Sequence, residues 1–167
     1  MRPDLTFDFL VDKSNCTITI TREFAAKRQL VWDCHTRSEL LDRWFAPEPL
    51  VTRTRHMDFS EGGYWHYAMI DPSGTAYWSR LDYRTIRPID AYTAQDGFTD
   101  ETGIVNDAMP RSDWDVQFTD AAGHTLVRTI VTYRSAEDID TVVSMGFKEG
   151  LRSTLERLDK LLPLLTP

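Results

Sequence analysis

Few side chains in this sequence could do acid–base, metal or nucleophilic chemistry: His35, His56, His66 and His124, with Cys16 and Cys34. His56 and His66 flank Ser60-Glu61-Gly62-Gly63, a glycine turn between two alternating segments and hence a hairpin signal. A two-residue turn at Glu61-Gly62 pairs Met57 with His66. That sets His56 and His66 on opposite faces of the sheet and argues against a shared metal. A base formed by His66 with Glu61 or Asp58 is the remaining acid–base arrangement, and a solvated or core histidine is the simpler reading. Cys34 and His35 are adjacent, so on a helix they point about 100° apart and make no dyad. The cysteines fit no metal spacing and no disulfide framework, the pattern of two reduced thiols in a cytoplasmic protein. No serine sits in a nucleophile elbow, and no glycine-rich loop opens a helix as a phosphate site requires. The expectation is no catalytic residue, no metal and no cofactor.

Aromatic and sulfur-bearing residues, by contrast, are plentiful. Trp65, Tyr67 and Met69 share one strand face by the period of two, and Trp114, Val116 and Phe118 share another. Together with Trp44, Phe45, Trp78, Met109 and Met145 they form a candidate ligand-binding cavity, apolar with a few polar tips from indole N–H and tyrosine hydroxyl groups. Each one alone is more simply a core residue. Gly146 and Gly150 complete the candidate set. Each costs about 1 kcal/mol against alanine inside a helix, so propensity did not select them. They either leave space under the helix or admit a close neighbour.

These side chains need a sheet and a helix to position them. The apolar residues Ile139, Val143, Phe147, Leu151, Leu155, Leu158 and Leu162 recur at helical spacing and predict one long amphipathic helix over 135–162. Ser135 is its expected cap, Asp138 the returning partner, and Pro163 its end. A helix of that length spans roughly 40 Å. Upstream, residues 1–15 read as an N-terminal arm or extra strand, in which Leu5, Phe7, Phe9 and Val11 alternate. The arm suits its own sheet or the sheet of a partner copy, so a homodimer stays open. An alternating strand over 17–24 follows, then short helical pieces at 30–33 and 38–44, the second with Ser38 as cap. Strands over 51–59, 64–70, 76–86, 91–98, 114–118 and 126–133 come next. A non-periodic loop over 99–111 is the expected gate. The order is that of an α+β domain over 16–165: an antiparallel sheet with one face covered by a long helix.

Several stretches resemble a known family: Arg22-Glu23-Phe24 with Val31-Trp32, Glu39-Leu40-Leu41 with Trp44, Asp58-Phe59-Ser60-Glu61-Gly62-Gly63 with Trp65, Tyr67 and Met69, and Met145-Gly146-Phe147-Lys148-Glu149-Gly150. They are similar to bacterial single-domain proteins grouped with the C-terminal domain of the activator of the heat-shock chaperone ATPase, within the START-like, or SRPBCC, superfamily. The resemblance covers roughly residues 17–162; it departs at Ala26-Lys27, where the family often has a proline. It implies a helix-grip fold, a curved antiparallel sheet wrapped around the C-terminal helix and enclosing a cavity. Superfamily members include carriers, receptors and cyclases, so fold does not fix function. The expected function is binding of an apolar or aromatic small molecule. A chaperone-associated role and an enzyme acting on a polyketide-like or aromatic substrate are the alternatives.

Composition bounds the partners. With 167 residues and a net charge of −7, the chain is one acidic domain long enough to bury a core. Nucleic acid and anionic membrane surfaces both need a basic face, and between Asp90 and His124 eight acidic residues face Arg111 alone. These acids have no calcium-loop spacing and read as a solvated face. No run has the length of a membrane helix, and the acidic N-terminus has no signal-peptide core.

Overall fold

A computed structural model describes residues 5–166; the first four residues of the expected arm lie outside them. The elements are β1 (Phe7–Asp12), β2 (Thr17–Phe24), α1 (Arg28–Thr36), α2 (Ser38–Leu41), β3 (Val51–Met57) and β4 (Tyr64–Ile70), then β5 (Ala76–Arg87), β6 (Ala91–Thr99), β7 (Ser112–Ala121), β8 (His124–Tyr133), α3 (Ala136–Ser144) and α4 (Phe147–Leu165). All eight strands form one antiparallel sheet in the order β1-β2-β8-β7-β6-β5-β4-β3. Hairpins join the neighbours from β3 to β8, while α1 and α2 carry the chain from β2 to β3 at the far edge. This is the expected helix-grip arrangement. The arm pairs with its own sheet, Phe7 opposite Arg22 and Val11 opposite Ile18.

The period of two decides what the inner face carries. Ile18, Ile20, Arg22 and Phe24 of β2 point the same way, each 3% exposed or less. Cross-strand pairs continue that face through Val127 and Val131 of β8 to Trp114 and Val116 of β7. Helix α1 lies against β7 and β8, so Trp32 reaches Phe118 (ring centroids 5.1 Å) and Tyr92 (6.2 Å). Helix α4 covers the other part: Phe147 meets Phe9 at 5.9 Å and Trp114 at 6.4 Å.

The C-terminal segment departs from the expected single helix. Gly146 adopts φ +86°, a left-handed conformation open to glycine at little cost, and it divides the segment into α3 and α4. The break explains why Val143 and Met145, expected on the apolar stripe and in the cavity, are 41% and 55% exposed. Ser135 caps α3 as expected, accepting from the Asp138 N–H at 3.1 Å. Ser38 does not cap α2; Arg37 holds that position without a side-chain bond. Helix α4 runs past Pro163 to Leu165, held there by the buried Leu161 and Leu162.

The β3–β4 hairpin also departs from the two-residue turn. His56 lies directly opposite His66 and Met57 opposite Trp65, because the connection takes all six residues of 58–63 and β3 is irregular between Thr54 and His56. The loop bonds sideways to β5, Gly62 N–H to the Tyr83 carbonyl at 3.0 Å and Tyr83 N–H to the Gly63 carbonyl at 2.9 Å. A Cβ at Gly63 would collide with the Asp58 carbonyl, so the second glycine is required by close approach.

Candidate functional site

Arginine at position 22 is the anomaly of β2. It sits in phase with Ile18, Ile20 and Phe24, and its side chain is 1% exposed. An isolated charge in such a place is costly, so a partner is needed. Helix α4 supplies one: the Asp159 carboxylate, itself only 10% exposed, accepts from Nη2 of Arg22. Nη1 donates to the Glu23 carbonyl at 3.0 Å. The guanidinium carbon also stands 5.1 Å from the Phe24 ring centroid. The third donor, Nε, is buried and has no hydrogen-bond partner.

Beside Arg22 a sheltered space of about 30 Å³ opens between sheet and helix. Ile20, Arg22 and Phe24 form one wall, with Val127 and Thr129 of β8 and Trp114 of β7 next to them. Leu151 and Leu155 of α4 close it, and His35 of α1 stands at one side. It has room for about one water. A wider hollow of about 350 Å³ lies against Lys148, Glu149, Arg152, Ser153 and Glu156, all on the charged outer side of α4. Its walls come from one helix, so it lacks the convergent elements of a binding site.

Electrostatics in the interior are set by burial. His35 Nδ1 lies 2.8 Å from the Val31 carbonyl, which can only accept, so Nδ1 carries the proton. Phe24, Trp44 and Phe118 pack edge-on around the ring, and burial pushes its pKa down to about 4. His35 therefore adds no charge beside Arg22 at neutral pH. A depressed folded-state pKa gives stability that is full above the unfolded value, about 6.5, and lost as pH falls towards about 4. Urea unfolding should show wild type losing roughly 3 kcal/mol more between about pH 7 and about pH 4 than His35→Phe does. An equal acid response in the two proteins would contradict the assignment. On the neighbouring strand, Asp96 accepts from the Ser112 N–H (2.7 Å) and hydroxyl (2.8 Å), and burial pushes its carboxyl up. Trp114 Nε1 donates to that same hydroxyl at 2.9 Å, which fixes the indole that borders the space.

Of the residues expected to line a pocket, Trp114 borders this space. Trp44, Phe45, Trp65 and Tyr67 pack on one another instead: Trp44 and Phe45 at 5.3 Å, Phe45 and Trp65 at 5.2 Å, Trp65 and Tyr67 stacked at 3.8 Å. Phe118 is buried against Trp32 and His35, and Met69 is half-buried against the same core. Trp78 pairs with Ala68, a register that puts it on the face opposite Trp65, Tyr67 and Met69, where it meets His66 (4.9 Å) and Arg55 (5.7 Å). Met145 is exposed, and Met109 is half-buried in the loop over 100–111. Neither glycine makes room beneath the helix. A Cβ at Gly146 meets nothing within 4 Å, and one at Gly150 would meet the Pro47 ring at 3.8 Å.

The loop over 100–111 folds onto the outer face: Arg80 donates to the Gly103 carbonyl at 3.2 Å and His66 Nε2 lies 3.3 Å from that of Asp100. The expected gate thus packs over the face that carries Trp78. Among the described residues His66 has no carboxylate partner: Glu61 accepts from the Ile86 N–H and Asp58 from Ser60. Histidine and carboxylate do meet on the outer face at His124 and Glu23, 2.8 Å apart. Among the described residues no three His, Cys, Asp or Glu side chains converge as metal ligands, and no helix is long and apolar enough to cross a membrane. No sequence spacing joins Arg22, His35 and Asp159, which lie on β2, α1 and α4. The readable signal was an arginine in phase with three apolar residues of β2.

An eight-stranded antiparallel sheet gripping a C-terminal helix, with helices α1 and α2 inserted after β2, defines a START-like domain. The chain belongs to the family described as activator of Hsp90 ATPase homolog 1-like protein, whose pattern matches residues 25–163. It is similar to protein Ms6760 from Mycobacterium smegmatis, at 30% identity and TM-score 0.86 over 95% of this chain and 96% of that one. A protein from Arthrobacter aurescens is 28% identical with TM-score 0.88, over 93% of this chain and 91% of that one. CalU16 from Micromonospora echinospora shares the fold at 18% identity and TM-score 0.61, over 97% of this chain and 77% of that one. Among curated proteins, none matches the chain.

Proposed function

We propose that this protein binds an apolar or aromatic small molecule between the sheet and α4, in the space bordered by Ile20, Trp114, Val127, Leu151 and Leu155. The observation that carries this reading is that space itself, a sheltered gap with mostly apolar walls contributed by β2, β7, β8, α1 and α4. Convergence of several elements on one apolar hollow is the usual construction of a small-molecule site. A chaperone-facing surface would place its binding groups outside, whereas these point inward. At about 30 Å³ the space must widen to take a ligand, and the element that can yield is α4. It is joined to α3 through Gly146, and its hold on the rest of the domain includes separable polar contacts: Arg157 to the Ala46 (2.8 Å) and Leu50 (2.6 Å) carbonyls, and the Glu48 N–H to the Ser153 hydroxyl (3.0 Å). Apolar burial then drives binding at about 25 cal/mol per Å², less the cost of ordering.

Native mass spectrometry of the freshly purified protein, compared with its denatured mass, tests this. The expected result is a reproducible mass excess that disappears on denaturation, or saturable calorimetric binding of decanoate, decanol, naphthoate or naphthylmethanol. No excess and no binding of any of the four would contradict the proposal.

A further inference from the structure

The ligand's polar end can be read from the same site, and the inference rests on the small-molecule reading above. We infer that the ligand is an anionic amphiphile, a carboxylate on an apolar body, and that Arg22 is the residue that receives the carboxylate. Arg22 is the charged group in the wall of the space, 1% exposed, among Ile20, Phe24, Val127 and Leu155. Its Nε–H is buried and donates to nothing, while Nη1 and Nη2 are held by the Glu23 carbonyl and by Asp159. Nε and an Nη group together form the planar edge of a guanidinium that accepts a carboxylate as a fork, the arrangement that Arg supplies and Lys does not.

The position of Asp159 gives the inference its direction. It belongs to α4, the element that must yield for the space to widen, whereas Arg22 belongs to the central sheet. Moving α4 outward draws Asp159 from Arg22 and leaves a buried cation uncompensated. A ligand carboxylate replaces the departing one, so the charge of Arg22 stays balanced in both states. A neutral ligand of the same shape cannot do this. The ion pair is thus a latch that an acid opens by substitution, and His35, neutral at this depth, offers the incoming acid no competing cation.

Calorimetric titration of the wild-type protein with two matched pairs, decanoate against decanol and naphthoate against naphthylmethanol, tests the inference. At least about tenfold tighter binding of the acid is expected in whichever pair binds, the aliphatic and aromatic arms distinguishing the nature of the body. In Arg22→Met/Asp159→Leu, where the pair gives way to apolar side chains, the preference should vanish while the alcohol still binds. Arg22→Lys, which keeps the charge and loses the fork, should retain only part of it. Equal affinity of acid and alcohol for wild type overturns the inference and leaves the small-molecule reading standing. A preference that survives in the double variant also overturns it, because the acid is then held elsewhere. Binding of neither member of either pair overturns the inference, and with no co-purifying mass excess it overturns the small-molecule reading as well.

Discussion

Replacing Asp159 by alanine is expected to destabilise the fold by roughly 3–5 kcal/mol, because it strands the Arg22 guanidinium in the core without its counter-charge. The two side chains are 1% and 10% exposed, so solvent screens the pair little. The same physics makes the double replacement milder: in Arg22→Met/Asp159→Leu neither charge is left to solvate, and apolar substitutes of similar volume are often neutral or better. Urea unfolding of wild type, Asp159→Ala and the double variant provides the comparison. A single replacement costing less than about 1 kcal/mol would show that Arg22 is compensated by something other than Asp159.

A loss of about 3–5 kcal/mol is likewise expected for Trp44→Ala, for a different reason. Trp44 is 1% exposed and joins the two aromatic groups of the interior, meeting His35 at 5.0 Å on one side and Phe45 at 5.3 Å on the other. Its Nε1 donates to the Cys34 carbonyl at 2.9 Å, so truncation opens a cavity and also removes a buried hydrogen bond. Trp44→Phe retains most of the volume and should recover more than half of the loss. If Trp44→Ala unfolds at the wild-type denaturant concentration, the residue lines a yielding surface and does not belong to the packed core.

These packed aromatics mark where reading the chain alone stops. Alternation in β2, β4 and β7, the helical stripe ending in Leu158 and Leu162, and the serine cap at Ser135 all follow local rules, and the order of elements with the resemblance to START-like proteins led to the helix-grip fold. The face assignments within β4 and β7 follow from the period of two and hold. What depends on register or on one backbone angle does not follow from local rules. The pairing of Ala68 with Trp78 sends that indole to the outer face, and the six-residue connection after Met57 brings His56 opposite His66. The positive φ of Gly146 breaks a pattern that is otherwise continuous from Ile139 to Leu162. Gly146 and Gly150 carry a helix penalty that invited a cavity, yet one makes a joint and the other lies beside Pro47. Whether a gap between sheet and helix is filled depends on side chains from five elements at once. Trp44, Phe45, Trp65 and Tyr67 pack on one another and do not border the space beside Arg22.

Arg22 shows the reverse case, a residue legible in the sequence whose meaning needed the structure. Its place in phase with Ile18, Ile20 and Phe24 marks it as buried. That its partner comes from α4, 137 positions away, is a fact of the tertiary fold. Once both are known, the small space beside Arg22 has mostly apolar walls and a buried cation whose counter-charge comes from α4.

The most direct measurement is a methyl-resolved NMR titration of the protein with decanoate and, separately, with naphthoate. Binding between sheet and helix predicts, for at least one of them, saturable shifts concentrated on Ile20, Val127, Leu151 and Leu155, with intermolecular contacts from the apolar body of the acid to those methyl groups. Shifts confined to residues beside Lys148 and Arg152 on the outer side of α4, or no shifts with either acid, would contradict it.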